Sequence, residues 1–168
     1  SSAASDVYKR QELLVLPVIM AIVIGWLSGS PVNGVLLIIP FMFLKKYSGG
    51  YHAKKLSICM IISTILLTAM IRISICDIKP AYMYITTCIA FIELCIVSPI
   101  QSDNKVLNEK EMRHYKKVVV MQLAVYSIII ICSSILNCMI VTKCICLGII
   151  LASIMQLPCI VTRRTSIR

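Results

Sequence analysis

A histidine and a cysteine seven positions apart are the residues of this sequence whose types and spacing best suit chemistry. His52 follows the glycine pair Gly49 and Gly50, and Cys59 lies in the opening turns of the next apolar segment. A cysteine thiolate attacks carbonyl carbon, and a nearby histidine can act first as its base and then as an acid for the leaving group. The pair therefore indicates thiol-dependent chemistry on a carbonyl substrate.

Helix geometry limits how these two side chains can meet. Residues seven apart on one straight helix share a face but are displaced by about 10.5 Å along the axis. A thiol–imidazole hydrogen bond needs a separation of about 3 Å. We therefore predict that His52 precedes the helix and folds back towards Cys59, a path that the conformational freedom of Gly49 and Gly50 permits.

The surroundings of Cys59 favour its ionised form. Helix N-termini, neighbouring lysines and an imidazolium all stabilise a thiolate, and Lys54 and Lys55 stand between the two residues. The other cysteines lie in apolar runs or at their edges without paired metal spacing, so we expect small buried hydrophobic residues and no metal site; they are Cys76, Cys88, Cys95, Cys132, Cys138, Cys144, Cys146 and Cys159. A competing interpretation is that the histidine lies near the cysteine by chance.

The composition predicts that lipid is the solvent for much of the chain. Of its 168 residues, 59% are hydrophobic and only 14% are charged, with a mean hydropathy of +0.92. Soluble domains carry about 25% charged residues. The net charge of +10 lies mostly between apolar stretches, which is typical of membrane topology rather than of a nucleic-acid partner.

Six apolar segments predict an all-α integral membrane protein with a single polytopic domain over residues 12–168. The segments are 13–29, 32–44, 56–75, 81–100, 118–136 and 138–161. The last four reach the ~20 residues that a spanning helix needs, and the first is marginal. The second, with Pro40, is a short helix, a re-entrant helix, or a span extended by its flanks. Residues 1–11 differ from the rest in composition, and we expect them to be a non-native or artefactual N-terminus.

Loop charge predicts the orientation. Basic residues cluster between the second and third segments, between the fourth and fifth, and at the end of the chain. With six crossings all these regions and both termini face the cytoplasm, as the positive-inside rule requires. We expect Arg72 and Lys143 to reach the outer interface and His114 to be solvated.

Two stretches of the sequence resemble the accessory gene regulator B (AgrB) family. One is YSGGYHAKKLSIC, with the family's glycine, histidine and cysteine at Gly50, His52 and Cys59. The other is SPIQSDNKVLNEKEMRHYKK, similar to the family's second cytoplasmic loop. The family usually has arginine before the aromatic residue, whereas this chain has Lys45 and Lys46. An ammonium is not equivalent to a guanidinium fork, so these lysines cannot form the bidentate contact with a carboxylate that an arginine makes.

The resemblance implies a membrane-embedded cysteine endopeptidase of the bacterial cytoplasmic membrane that acts in quorum sensing and virulence regulation. Cys59 and His52 would cleave off the C-terminal part of a small propeptide through an acyl-enzyme thioester, leading to a cyclic lactone or thiolactone. It also implies a homodimer, no cofactor, and a substrate with an amphipathic leader and an acidic tail. Further residues are expected to bind substrate or support the loop: Gly49, Gly50, Lys45, Lys46, Lys54, Lys55, Glu93, Lys116 and Lys117.

Glu93 and the lysines have second interpretations. An intramembrane carboxylate is a functional candidate, so Glu93 either orients His52, pairs with a lysine, or has a purely structural partner. The lysines either steer the acidic tail or serve topology and lipid headgroups. A small peptide transporter or export channel, or a membrane scaffold, would use the same helices without needing a thiol.

Overall fold

The computed structural model describes residues 2–49, 56–100 and 108–158, with side chains for 15–49, 61–100 and 108–158. These ranges contain six helices and no strand, which confirms the all-α fold. The helices are α1 Ser2–Leu27, α2 Pro31–Ser48, α3 Leu56–Ile75, α4 Pro80–Val97, α5 Glu109–Ile135 and α6 Met139–Ile154.

Local sequence explains where several helices begin. Pro31 and Pro80 occupy the first turns of α2 and α4, where a missing N–H costs nothing. The side chain of Asn108 caps α5, and the Glu111 carboxylate accepts a hydrogen bond from the backbone N–H of Asn108. This capping box starts α5 nine residues before the predicted apolar segment, so the charged stretch is helical. The first helix is also longer than its apolar segment.

The helices alternate in direction, so their ends form two groups. At one, which we call the turn end, the short connections 28–30, 76–79 and 136–138 join successive helices. Asn33 Nδ2 there donates to Ser74 Oγ at 3.0 Å, and Lys143 Nζ donates to the Cys76 carbonyl at 3.1 Å. Lys143, expected simply to reach the interface, therefore also ties α6 to the end of α3.

The opposite group, the loop end, contains the last residues of α2, α4 and α6 and the first residues of α3 and α5. The backbone N–H of Ile100, just after α4, donates to the Ser48 carbonyl at 2.9 Å. The segments 50–55 and 101–107 both leave from this end.

The second helix is the centre of the bundle. It packs against both α1 and α6 through glycines, because a Cβ at Gly34 would collide with the Ala21 carbonyl. A Cβ at Gly148 would lie 2.6 Å from Pro40 Cγ and 2.8 Å from the Leu37 carbonyl oxygen. Close approach through small residues is the usual way that helices pack in lipid. The helix continues through Pro40 over all 18 residues of Pro31–Ser48 and thus extends beyond the predicted apolar segment 32–44.

Two helices of the described ranges are long and apolar enough to cross a membrane. They are Pro80–Val97 and Glu109–Ile135, and only 22% and 17% of their apolar windows are buried inside the protein. A core helix of a soluble protein would be mostly buried, whereas these present apolar side chains outward. The described apolar parts of α1, α3 and α6 are shorter: Val15–Leu27, Ile61–Ile75 and Met139–Ile154.

Candidate active site

Cys59 is the fourth residue of α3, and its backbone lies within the first turn. Its side chain, and all of His52, Gly50, Lys54 and Lys55, lie outside the described residues. The predicted fold-back of the histidine towards the cysteine therefore stays a prediction.

The depth of Cys59 in the bundle follows from the pairing of α2 with α3. Asn33 contacts Ser74 at the turn end. Ser48 lies fifteen residues after Asn33 on α2, and Cys59 lies fifteen residues before Ser74 on the antiparallel α3. At 1.5 Å per residue, each is about 22 Å from this contact. The backbone of Cys59 thus lies at about the same depth as the C-terminus of α2.

Gly49 makes the turn that leads from α2 towards His52. Its φ is +76°, in the left-handed region that favours glycine. A Cβ there would also collide with the Ile100 carbonyl oxygen. The position therefore requires glycine for both its backbone conformation and its contact with the segment after α4.

A buried glutamine joins three elements at the loop end. Gln156 Nε2, just after α6, donates to the Ser48 carbonyl at 2.9 Å and to Ser98 Oγ at 3.0 Å. Gln156 and Ser48 are fully buried, and Ser98 is 3% exposed. We call Ser48, Ser98, Ile100 and Gln156 the loop-end junction. Its hydrogen bonds satisfy polar groups that would otherwise be costly to bury.

Two tyrosines bring the basic ends of α2 and α5 together. The Tyr47 and Tyr115 rings meet edge to face, with centroids 5.6 Å apart. Next to Tyr47, the Lys46 Nζ lies 5.2 Å from its ring centroid, and the Lys45 Nζ lies 5.4 Å from the Phe41 ring centroid. Both lysines thus extend along aromatic surface at the loop end.

The outer face of α5 adds further cations. An open concave surface of about 490 Å³ runs along this helix, basic at the loop end and apolar further into the bundle. Its lining residues are Arg113, Lys116, Lys117, Val120, Met121 and Ala124. A surface that is basic at one end and apolar at the other suits a peptide segment that has acidic and apolar parts and lies at a membrane interface.

Glu93 lies on α4, five residues before Ser98 and thus about 7.5 Å deeper in the bundle. Neither carboxylate oxygen is accessible, and neither has a hydrogen-bond partner among the described residues. Ser153 on α6 lies beside it without meeting hydrogen-bond geometry. Pairing of Glu93 with His52 or with a lysine of the segment 50–55 stays a prediction.

A comparison with protein-family models identifies the family. The model of accessory gene regulator B matches residues 13–156. This chain belongs to the AgrB family. Neither curated proteins nor solved structures gave a match.

Membership of the AgrB family supports a role in autoinducer peptide processing and places the chain among membrane proteins. The match includes the His–Cys motif, both loops, and the loop-end junction up to Gln156. It therefore covers the whole described bundle except the start of α1 and the last two residues.

Two expectations about side chains have different outcomes. His114 is exposed, as predicted for a solvated residue. The expectation that most of the other cysteines are buried is wrong for the described ones. Cys144 and Cys146 are buried, Cys95 is half-buried, and four are exposed: Cys76, Cys88, Cys132 and Cys138. Cys159 lies outside the described residues. Apolar helix faces that point to lipid need no protein cover, so an apolar setting does not imply burial in the core. The described side chains form no group of three metal-ligating residues.

Sequence reasoning missed the loop-end junction. Ser48 and Ser98 lie in the two stretches that resemble the AgrB family, but neither was singled out as a site residue, and Gln156 belongs to neither stretch. The one available signal is Gln156 itself, an uncharged polar residue that follows an apolar run. An amide in that setting needs hydrogen-bond partners, although its position alone does not identify them.

Proposed function

We propose that this chain is a membrane-embedded cysteine endopeptidase that cleaves a small signalling propeptide, with Cys59 as nucleophile and His52 as base and acid. The observation that carries the proposal is the AgrB family match over residues 13–156, which includes the His–Cys motif. The position of Cys59 in the first turn of α3 supports it. There the helix macrodipole favours an anion by about 0.3–1 kcal/mol.

The reaction begins with transfer of the Cys59 thiol proton to His52. The thiolate attacks the scissile carbonyl, and the C–N bond breaks as His52 returns the proton to the leaving amine. The C-terminal part of the propeptide departs, and the N-terminal part remains on Cys59 as a thioester. An internal cysteine or serine of the peptide then displaces Cys59, whose thiol regains a proton, and the product is a cyclic thiolactone or lactone.

A site at the edge of a membrane bundle suits this second step. Exchange of one thioester for another is nearly isoenergetic, whereas hydrolysis is strongly favourable. Cyclisation therefore requires that water be kept from the acyl-enzyme until the internal nucleophile attacks. In a membrane, lipid would cover the outward-facing isoleucines of α4 and exclude water from that face of the bundle; they are Ile85, Ile89, Ile92 and Ile96.

The substrate class follows from the charge of the loop end. An amphipathic leader would lie at the cytoplasmic interface, and an acidic tail would be attracted by Lys45, Lys46, Lys116 and Lys117. The tyrosine contact between α2 and α5 places these lysines on neighbouring helix ends.

The experiment that tests the proposal is capture of the acyl-enzyme. Purified protein incubated with the propeptide encoded next to its gene should gain a peptide adduct on the tryptic fragment that contains Cys59. Adduct formation should also slow as KCl is raised, because salt screens attraction to the lysines. Cleavage without any adduct at Cys59, with all thiols intact, would overturn the thioester mechanism.

We further propose that the loop end faces the cytoplasm and the turn end faces outward, with six crossings. Cys76 and Cys138 are exposed at the turn end and serve as native probes. A membrane-impermeant maleimide should label both in intact cells, and should label a Lys110→Cys variant at position 110 only after permeabilisation. Labelling of position 110 in intact cells would reverse the orientation.

Homodimer formation is part of the same proposal. Cross-linking of the purified protein in lipid nanodiscs, followed by mass measurement, should give twice the monomer mass. A purely monomeric species that still cleaves the propeptide would remove the dimer from the mechanism.

A further inference from the structure

Gln156 is completely buried, and it lies at the end where the active-site segment begins. A single Nε2 donates to both Ser48 and Ser98. These partners are 108 and 58 positions away in the sequence, so the amide connects three helices. Its Oε1 is buried without a partner among the described residues.

We propose that Gln156 is a positioning residue for the peptidase site. It holds Ser48 and Ser98, which lie just before the segments 50–55 and 101–107. This rests on the proposed function, since the site that it positions is the one containing His52 and Cys59. Gln156 itself touches no reacting atom; it determines where the end of α2 lies relative to α4 and α6.

Chain length makes the connection to His52 short. Gly49 directly follows Ser48, and an extended chain spans at most ~3.6 Å per residue. The Cα of His52, three residues after Gly49, therefore lies within about 11 Å of the Gly49 Cα whatever path the chain takes. A displacement of Ser48 should therefore also displace His52, because only three residues separate them in the sequence.

The same junction also positions the second segment. Ile100, whose N–H donates to the Ser48 carbonyl, is the last described residue before the segment 101–107. Gln156 holds Ser98, two residues earlier, through its hydroxyl. Both loop-end segments thus start from one hydrogen-bonded unit.

Loss of the amide should loosen this unit without unfolding the bundle. The Ser48 carbonyl would keep its hydrogen bond from Ile100, while the Ser98 hydroxyl would lose the hydrogen bond that it accepts from the Gln156 amide. A misplacement of about 1 Å can lower the rate of an oriented reaction by about 10²-fold. The effect should therefore appear in the chemical step rather than in peptide binding.

The test compares Gln156→Met with a matched variant, Gln122→Met. Both replace a glutamine that has a buried, unpartnered Oε1, but Gln122 lies on α5 away from the junction. Gln156→Met should lower kcat by about 10- to 100-fold with KM within about twofold of native, and Gln122→Met should leave both near native. Ser98→Ala, which removes one of the two hydrogen bonds, should give a smaller fall in kcat.

A second measurement separates this inference from the proposed function. The rate at which iodoacetamide alkylates Cys59 at neutral pH, followed by mass spectrometry, requires no propeptide. It should fall several-fold in Gln156→Met because a displaced His52 favours the thiolate less. If Cys59→Ala still cleaves, the proposed function fails, yet slower alkylation would still support positioning.

Three results would overturn the inference. These are a native kcat and native alkylation rate in Gln156→Met, an equal fall in Gln122→Met, or a change confined to KM. If Gln156→Met does not insert into the membrane, Ser98→Ala becomes the test of the inference. A native kcat in Ser98→Ala would then overturn the positioning role of the junction.

Discussion

Replacement of Cys59 by alanine should reduce propeptide cleavage to background, a loss on the order of 10⁶-fold in kcat, because it removes the thiol that forms the thioester. The fourth residue of α3 tolerates alanine as a helix former, so insertion should be unaffected. The measurement is single-turnover cleavage of the synthetic propeptide by protein in nanodiscs, with insertion checked by size-exclusion profile.

Cys138→Ala is the matched control for this variant. Cys138 directly precedes α6 at the turn end, far from the loop-end junction, so its removal tests for general effects of losing a thiol. It should cleave at the native rate. Native cleavage or undiminished peptide release by Cys59→Ala would contradict the thiol mechanism and favour a peptide transporter instead.

Replacement of His52 by alanine should lower kcat by about 10²- to 10⁴-fold, the usual contribution of a general acid and base. The loss should be smaller than for Cys59→Ala, because a fraction of the thiol still ionises. Part of the lost activity should return as pH is raised through the thiol range, because hydroxide then generates the thiolate. The pH–rate profile of the variant, from pH 6 to 9.5, is the measurement.

The chain contains two histidines, so His114→Ala is the natural control. His114 is exposed on α5 and its ring contacts only the neighbouring Tyr115 among described aromatic rings. The substitution should leave the pH–rate profile native. A His52→Ala variant with native kcat at neutral pH would remove the histidine from the mechanism while leaving the cysteine in place.

Several features of the fold could be predicted from sequence because they depend on short-range patterns. Long apolar runs predicted the helices, and the structure contains a helix at each of the six segments. The capping box at Asn108 and Glu111 is also a local pattern, although its effect on the start of α5 was not predicted. The helix α2 continues beyond its apolar run through Lys45, Lys46 and Tyr47, an extension that was one of the predicted alternatives.

Other features were not predictable, because they join residues that are far apart in the chain. The apolar pattern of α2 gives no sign that Gly34 meets Ala21 while Pro40 meets Gly148. The second apolar segment, whose shortness and proline left its role open, is central because small residues on two sides allow close packing. The prediction that most cysteines are buried was wrong for a related reason, since the hydropathy of a residue is the same whether it faces lipid or protein.

The sequence by itself determined the all-α fold and the grouping of basic residues between apolar runs, and it predicted that His52 and Cys59 act together. The first two depend on residue type and on spacings of at most about 20 positions, which secondary structure converts directly into geometry. Only the tertiary structure decided that Ser48, Ser98 and Gln156 meet, across separations of 58 and 108 positions. Such contacts arise because lipid offers buried polar groups no hydrogen bonds, so a partner on whichever helix the packing brings near is strongly favoured.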